Sequence, residues 1–130
     1  KQRRVVLRHT GRCHDLEELR QRVNEEFFGG EVASAITWGR RNRKRKARVR
    51  RLGTYSHEKD LVTIHPLLDR QEVPDRFLAY LVYHEMLHAR QDRDHSRPHD
   101  RAFRQALKLH PDHDWAIKWE KRNLKLLGLG

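Results

Sequence analysis

An α+β domain is the architecture that this sequence predicts, and three observations lead to it. An amphipathic helix comes first, short β-rich segments follow as a group, and three helical segments complete the chain. The order α-β-β-β-α-α-α favours a small antiparallel sheet of about three strands packed on helices. With 130 residues, the chain has room for one core but not for two. We therefore expect one domain over 1–130, with 1–13 as a flexible or strand-forming segment.

The first half of the chain contains the predicted helix and strands. The helix spans 15–28, because a capping-box-like start at Asp15 precedes apolar residues at helical spacing and Gly29-Gly30 follows. Three strands are expected next. The first is the segment from Val32 to Trp38. The second is a basic strand over 43–52, which follows a turn at Gly39 and Asn42. The third consists of Tyr55 and residues 61–64, and Pro66 ends it.

Three helices are predicted in the second half. Pro74 lies in the first turn of an apolar helix, and a polar loop over 91–97 follows it. Ser96 and Pro98 are typical of the start of the next helix, which ends near His110. The last helix begins after the cap Asp112 and ends at Gly128, with Trp115, Trp119, Leu124 and Leu127 as its apolar residues.

The apolar helix contains an HExxH motif, formed by His84, Glu85 and His88. Residues four apart lie on one face of a helix, so the two imidazoles can hold one metal ion. Glu85 lies beside that face, where it can take a proton from a water molecule at the metal. Since unpaired polar groups are costly in a buried helix, a metal ion explains all three side chains. The motif therefore indicates one Zn²⁺ ion and hydrolytic chemistry.

A catalytic zinc site needs a third protein ligand. His99 is preferred, because it shares a predicted helix face with Phe103 and other apolar residues, whereas the alternative, His95, lies in a loop. Glu120 is rejected as a remote residue on a charged face. The remaining histidines lack ligand spacing, and Tyr80 or Tyr83 is an additional candidate donor to the reacting carbonyl.

Basic residues dominate one short segment of a chain whose net charge is +11. Nine of the twelve residues from Arg40 to Arg51 are basic, and no acid occurs between Glu31 and Glu58. A solvated edge strand needs fewer charges than this, so a sequence-independent contact with DNA phosphates is the preferred interpretation. The candidate phosphate-binding residues are Arg40, Arg41, Arg43, Lys44, Arg45, Lys46, Arg48, Arg50 and Arg51.

Cysteine content and hydropathy indicate where in the cell the protein is expected. Cys13 is the one cysteine, so the chain forms no internal disulfide and has no zinc ribbon, which favours a reduced setting inside the cell. We expect Cys13 to be partly buried. No apolar run reaches the length of a membrane span, and no signal-peptide pattern follows Lys1. A cytoplasmic, nucleoid or nuclear protein without a membrane partner is expected.

Five segments, taken in order, resemble the SprT-like metalloprotease family of which Spartan is a member: 24–31, 36–38, 64–68, 84–89 and 99–103. The chain differs from the family pattern in two residues, with His65 in place of the common Asn and Asp100 in place of the common Gly. It also lacks the C-terminal zinc ribbon of many members. The resemblance covers roughly 14–110 and implies a minimal zincin-like domain with zinc-dependent proteolytic activity.

Spartan-type relatives cleave proteins crosslinked to DNA, so the resemblance also implies a role in the repair of DNA–protein crosslinks. Our leading interpretation is a zinc endopeptidase that acts on DNA-associated proteins. Two alternatives stay open. One is a metal-stabilised nucleic-acid-binding module without protease activity, and the other is a cytosolic metallopeptidase that is independent of DNA.

Overall fold

The computed structural model describes residues 7–40, 51–91 and 101–128, and they form an α+β fold, as predicted. Four helices and three strands occur among these residues. In chain order they are α1 (Leu16–Phe28), β1 (Ala35–Trp38), β2 (Gly53–Ser56), β3 (Leu61–Ile64), α2 (Asp75–Gln91), α3 (Arg101–Leu109) and α4 (His113–Arg122), with a 3₁₀ turn at Pro66–Leu68 between β3 and α2.

The predicted boundaries of the first helix are confirmed. Asp15 caps α1, because its side chain accepts hydrogen bonds from the backbone N–H groups of Glu17 and Glu18. Gly29 ends the helix with φ 59° and ψ 24°, a left-handed conformation that glycine adopts without a steric penalty. Local capping chemistry therefore determines both ends of α1.

The sheet is mixed, and the prediction of an antiparallel sheet was wrong. β3 lies in the middle, with β1 parallel to it on one side and β2 antiparallel on the other. β1 and β2 thus lie at the two edges of the described sheet, and the hairpin expected at Gly39 and Asn42 falls mostly on positions outside the described residues. A hairpin joins β2 to β3, and Asp60 in its turn has φ 48°.

The expected strand boundaries need a second correction. Tyr55 belongs to β2, not to the third strand, and Val32 precedes β1 without being part of it. The basic strand predicted over 43–52 falls mostly on 41–50, outside the described residues. Its last two positions, Arg51 and Leu52, precede β2 and are not in strand conformation.

The core surrounds α2, which packs between α1 on one side and the sheet and α4 on the other. Its buried residues include Leu78, Val82 and Met86, none of which is measurably exposed. They pack with residues of α1 and the sheet such as Leu16 and Ile64. The apolar helix predicted from the sequence is therefore the centre of the hydrophobic core, and its remaining face is available for chemistry.

The 3₁₀ turn after β3 is capped by a histidine. His65 Nδ1 accepts a hydrogen bond from the backbone N–H of Leu67 at 3.0 Å, and burial lowers the pKa of His65. Asparagine is a preferred cap because its side chain accepts the same kind of bond. His65 therefore fulfils the capping requirement at the position where the family pattern commonly has Asn.

The N-terminal segment is anchored to the start of α2 by polar contacts. The Asp69 carboxylate accepts from the backbone N–H groups of Arg12, Cys13 and His14 at 2.7, 2.8 and 3.2 Å. The buried His14 contacts Asp75 Oδ1 through Nδ1 at 2.7 Å. Cys13 itself is exposed, so the expectation of partial burial was wrong. Residues 7–13 form no strand, and residues 1–6 of the predicted segment lie outside the described part.

The last helix is shorter than predicted. α4 ends at Arg122, and a succession of turns leads to Gly128, which has φ 70°. Asp112 occupies the cap position without a capping hydrogen bond, because its carboxylate instead pairs with Arg76 at 2.8 Å. Among the helices of the described residues, none is long and apolar enough to cross a membrane.

Candidate active site

His84 and His88 lie one turn apart on α2, and their rings face the same side. The ring centroids are 5.4 Å apart, with an angle of 46° between the planes. Both side chains are partly exposed, whereas most of their neighbours on the helix are buried. The α-helical period thus places the two imidazoles together, as the motif predicts.

Phe103 of α3 holds both imidazoles from one side. Its ring stacks on His88 with a centroid distance of 4.4 Å and an angle of 26°, and it meets His84 edge-on at 5.2 Å. Phe103 is 1 % exposed, so its position is determined by the core. An apolar residue therefore restricts the orientation of both candidate ligands.

Glu85 is the buried carboxyl group of the site. It is 5 % exposed, and burial raises its pKa to about 7, while the charge of Arg51 acts in the opposite direction. Among the described residues it has no hydrogen bond or salt bridge. Such a carboxyl group can gain and lose a proton near neutral pH, which is the property required of a general acid or base.

β2 approaches Glu85 through a glycine. A Cβ atom at Gly53 would lie 3.1 Å from Glu85 Oε2 and 3.2 Å from its Cγ. These distances are shorter than ordinary van der Waals contacts, so the absence of a side chain at Gly53 lets the strand reach the carboxyl group. Sequence reasoning missed this glycine, because its partner is 32 positions away in the chain (85 − 53).

The motif residues lie in a cleft of about 660 Å³ between α2, β2 and α4. His84, Glu85 and His88 lie on its α2 side, and residues 51–55 form the β2 side. The lining residues of α4 are His113, Ala116, Ile117 and Glu120, spaced at i, i+3, i+4 and i+7. The prediction that Glu120 is remote from the site was wrong, because α4 folds back across α2 and one of its faces lines the cleft.

The two tyrosines of α2 have different environments. Tyr83 donates a hydrogen bond to the carbonyl of Ala106 at 2.9 Å and thereby ties α3 to α2. Tyr80 lines the cleft, and its Oη lies 2.7 Å from His113 Nδ1. Burial raises the pKa of Tyr80 to about 12. Both hydroxyls are thus engaged, that of Tyr83 with α3 and that of Tyr80 with α4, and Tyr80 is the candidate donor because it lines the cleft.

The histidine pair fits the requirements of Zn²⁺. Rings that each bind a tetrahedral ion through one nitrogen at about 2 Å have centroids roughly 5 Å apart, and the observed separation is 5.4 Å. Within 7–40, 51–91 and 101–128, no three His, Cys, Asp or Glu side chains come together as a set of ligands. Glu120, although it lines the cleft, is not part of any such set. His95 and His99 both lie outside these ranges.

Only the two ends of the basic segment are described. Arg40 and Arg51 are both exposed, and Arg51 lines the cleft near Glu85. The other seven candidate phosphate-binding residues lie outside the described residues. Arg51 nevertheless shows that the segment ends at the edge of the candidate active site.

Cavity size alone would point to a different place. A cavity of about 750 Å³ lies between α1, the start of α2 and the α3–α4 turn. None of the three motif residues lines it, and His110, the one histidine that does, has a lowered pKa because it is buried. We therefore place the candidate site in the smaller cleft, where the histidine pair and the buried carboxyl group meet.

Comparison with known proteins identifies the family of the chain. The family model that describes SprT-like sequences matches residues 16–114 of this sequence. The match covers most of the chain and includes α2 with its histidine pair. A comparison with curated proteins finds no match. Because the family match covers far more than half of the 130 residues, the chain belongs to the SprT-like family, whose membership implies a zinc metallopeptidase.

Proposed function

We propose that the protein is a zinc-dependent endopeptidase that cleaves DNA-associated or DNA-crosslinked proteins. The observation that carries the proposal is the buried Glu85 carboxyl group, which lies beside two imidazoles on the α2 side of an open cleft. A site that only stabilises the fold needs no such base and usually has four protein ligands.

His84 and His88 would hold the metal, with His99 as the third ligand. His99 is preferred because it precedes Phe103 by only four positions in the chain, and Phe103 contacts both rings. His95 is the alternative third ligand. When bound, Zn²⁺ would polarise the scissile carbonyl and make a water molecule more acidic.

Glu85 has the position and the environment of the general base. It would take a proton from the attacking water and deliver it to the leaving amine. Its raised pKa, about 7, suits both the acceptance and the release of a proton near neutral pH. Tyr80, with its hydroxyl in the cleft, would stabilise the developing negative charge on the carbonyl oxygen.

β2 offers a place for an extended substrate. Within the described sheet it pairs with β3 along one edge only, and residues 53–55 line the cleft. A peptide that adds to such an edge gains backbone hydrogen bonds that do not depend on its sequence. This mode of binding suits an enzyme that must digest many different proteins.

Glu85→Gln tests the chemistry. We expect the variant to keep its zinc and to lose at least about a hundredfold in the rate of peptide cleavage. The matched control is Glu31→Gln, an exposed glutamate outside the cleft, which should behave like the parent. A Glu85→Gln variant that cleaves as fast as the parent contradicts the assigned role.

His99→Ala tests the metal site, with His95→Ala as its counterpart. We expect His99→Ala to lower the zinc content and His95→Ala to leave it unchanged. The reverse result would assign the third ligand to His95.

The role of DNA is tested by cleavage of one protein substrate, free and crosslinked to DNA. We expect faster cleavage of the crosslinked form, because the basic segment would bring the enzyme to it. Equal rates would favour a metallopeptidase that is independent of DNA.

A further inference from the structure

We infer that Glu120 forms a specificity pocket for a cationic side chain, lysine or arginine, within two residues of the scissile bond. The inference rests on the proposed peptidase function and names a class of substrate for it. Glu120 lies beyond residues 16–114, the part of the chain that the family model matches. The assignment therefore comes from this chain's own cleft.

The first step is that Glu120 lacks a partner. It is only partly exposed, and no hydrogen bond or salt bridge to another described residue involves it. Burial raises its pKa, and no cation among the described residues offsets that effect. Removing a carboxylate from water without a compensating charge is costly. In a protein of net charge +11, an uncompensated acid in a cleft is best explained by a ligand that supplies the positive charge.

The second step is the distribution of charge over α4. The face that lines the cleft contains Glu120 as its one acid, whereas Lys118, Lys121 and Arg122 are exposed on the rest of the helix. A substrate with a positive charge is therefore repelled by much of α4 and attracted by Glu120 on the α4 side of the cleft. That contrast favours selection of a single side chain over general attraction of basic proteins.

The third step is the distance from the metal site. Glu120 and Tyr80 line the same cleft, and Tyr80 precedes His84 by four residues on α2. Four residues of an α-helix rise about 6 Å. Two residues of an extended peptide span about 7 Å. A peptide bound along the cleft with its scissile bond at the histidine pair thus places a side chain at Glu120 within two positions.

Peptide binding tests the inference without cleavage. Two labelled peptides are compared, one with a central lysine and one with a central methionine, and neither has any other charged side chain. Each is titrated with the zinc-loaded Glu85→Gln variant, and binding is followed by fluorescence anisotropy. We expect the lysine peptide to bind about tenfold more tightly, as for a hydrogen bond to a charged group. In the Glu85→Gln/Glu120→Gln variant the two peptides should bind equally.

Two further variants separate a specific pocket from a general effect of charge. Glu85→Gln/Glu120→Lys should reverse the preference and favour a glutamate peptide over the lysine peptide. Glu85→Gln/Asp114→Asn also removes one negative charge from α4, at an exposed position outside the cleft, and should keep the preference for lysine. Near-parental unfolding temperatures for the variants show that the fold is intact.

Either of two results overturns the inference. One is equal binding of the two peptides to the Glu85→Gln variant, and the other is a lysine preference that survives Glu120→Gln. Both of these binding results can be distinguished from a failure of the proposed function. In that case the zinc-loaded parent protein would cleave no peptide.

Discussion

At the scale of single residues, Gly53 determines how closely the sheet approaches Glu85, the proposed general base. Gly53→Ala would add a Cβ atom 3.1 Å from Glu85 Oε2 and displace the carboxyl group by a few tenths of an ångström. We expect kcat/KM for peptide cleavage to fall about tenfold, because small misplacements of catalytic groups are costly. The free energy of unfolding should change by less than about 1 kcal/mol.

Gly39→Ala is the matched control for this prediction. Its Cβ atom would lie 3.3 Å from Thr63 Cγ2 and 3.5 Å from Pro66 Cδ, contacts of similar closeness that do not involve Glu85. Cleavage by this variant should stay near that of the parent. If Gly53→Ala is fully active, the close approach of β2 has no role in positioning Glu85.

Glu17 makes the stability of α1 dependent on pH. Its carboxylate accepts hydrogen bonds from Arg20 at 2.7 and 2.8 Å, and these lower the pKa of Glu17 from 4.5 to about 2. A lowered pKa in the folded state stabilises the fold above pH 4.5, and this stabilisation is lost as the pH falls towards 2. Because the pair is partly exposed, its contribution is less than about 1 kcal/mol.

We therefore expect Glu17→Gln to be slightly less stable than the parent near neutral pH and equal to it near the acid limit. Urea unfolding at several pH values between neutral and acid measures the difference. Glu25→Gln, on an exposed position of the same helix, is the control and should show a smaller dependence on pH. If the difference in free energy of unfolding between Glu17→Gln and the parent grew as the pH fell, the stabilising role of the Glu17 carboxylate would be contradicted.

At the scale of elements, the segment 40–51 is the one whose proposed role depends on charge alone. Replacing Arg43, Lys44, Arg45 and Lys46 with Ala should weaken binding to all DNA sequences alike. The slope of log K against log salt should become less steep by up to about 3 to 4, since up to four phosphate contacts are lost. Fluorescence anisotropy at several salt concentrations measures both effects.

A second basic quadruple provides the control. Lys118, Lys121, Arg122 and Lys125 are exposed on α4 and the turns that follow it, and their replacement with Ala removes the same charge. If both quadruple variants lose equal affinity, net charge and not the segment 40–51 governs binding.

Comparison of the elements shows where sequence reasoning succeeds. The two ends of α1 were predictable because local hydrogen bonds determine them. The Asp15 side chain accepts from the backbone two and three residues later, and the Gly29 backbone N–H donates to the carbonyl of Asn24. The parallel pairing of β1 with β3 has no such local signal, because β2 separates the two strands in the chain.

The candidate site shows the same division. The spacing of His84 and His88 follows from the helical period, so it was visible in the sequence. The contributions of Gly53 and Glu120 come from β2 and α4, elements far away along the chain, and no pattern marked them. His14 and His110 were expected to be surface or capping residues, because they lack ligand spacing; both are buried, and His110 Nδ1 accepts a hydrogen bond from the backbone N–H of Asp112.

At the scale of the whole molecule, the core is independent of the proposed metal. Apolar residues from α1, the sheet, α2, α3 and α4 pack into one hydrophobic cluster, so the fold has a continuous core besides the proposed metal site. Chelation of zinc should therefore abolish cleavage and leave the helical signal in circular dichroism nearly unchanged. The unfolding temperature should fall, because a ligand that binds only the folded state stabilises it.

Re-addition of Zn²⁺ should restore both cleavage and the unfolding temperature. Loss of the helical signal on chelation would contradict this prediction and place the protein with small domains whose metal is required for folding.

Phe103 has a consequence for inactivation of the enzyme. One benzene ring buttresses two imidazoles at once, so damage to this hydrocarbon would release both from their shared alignment. Loss of activity can thus begin at a residue with no proton to give and no lone pair to share, and a survey confined to polar side chains would overlook it.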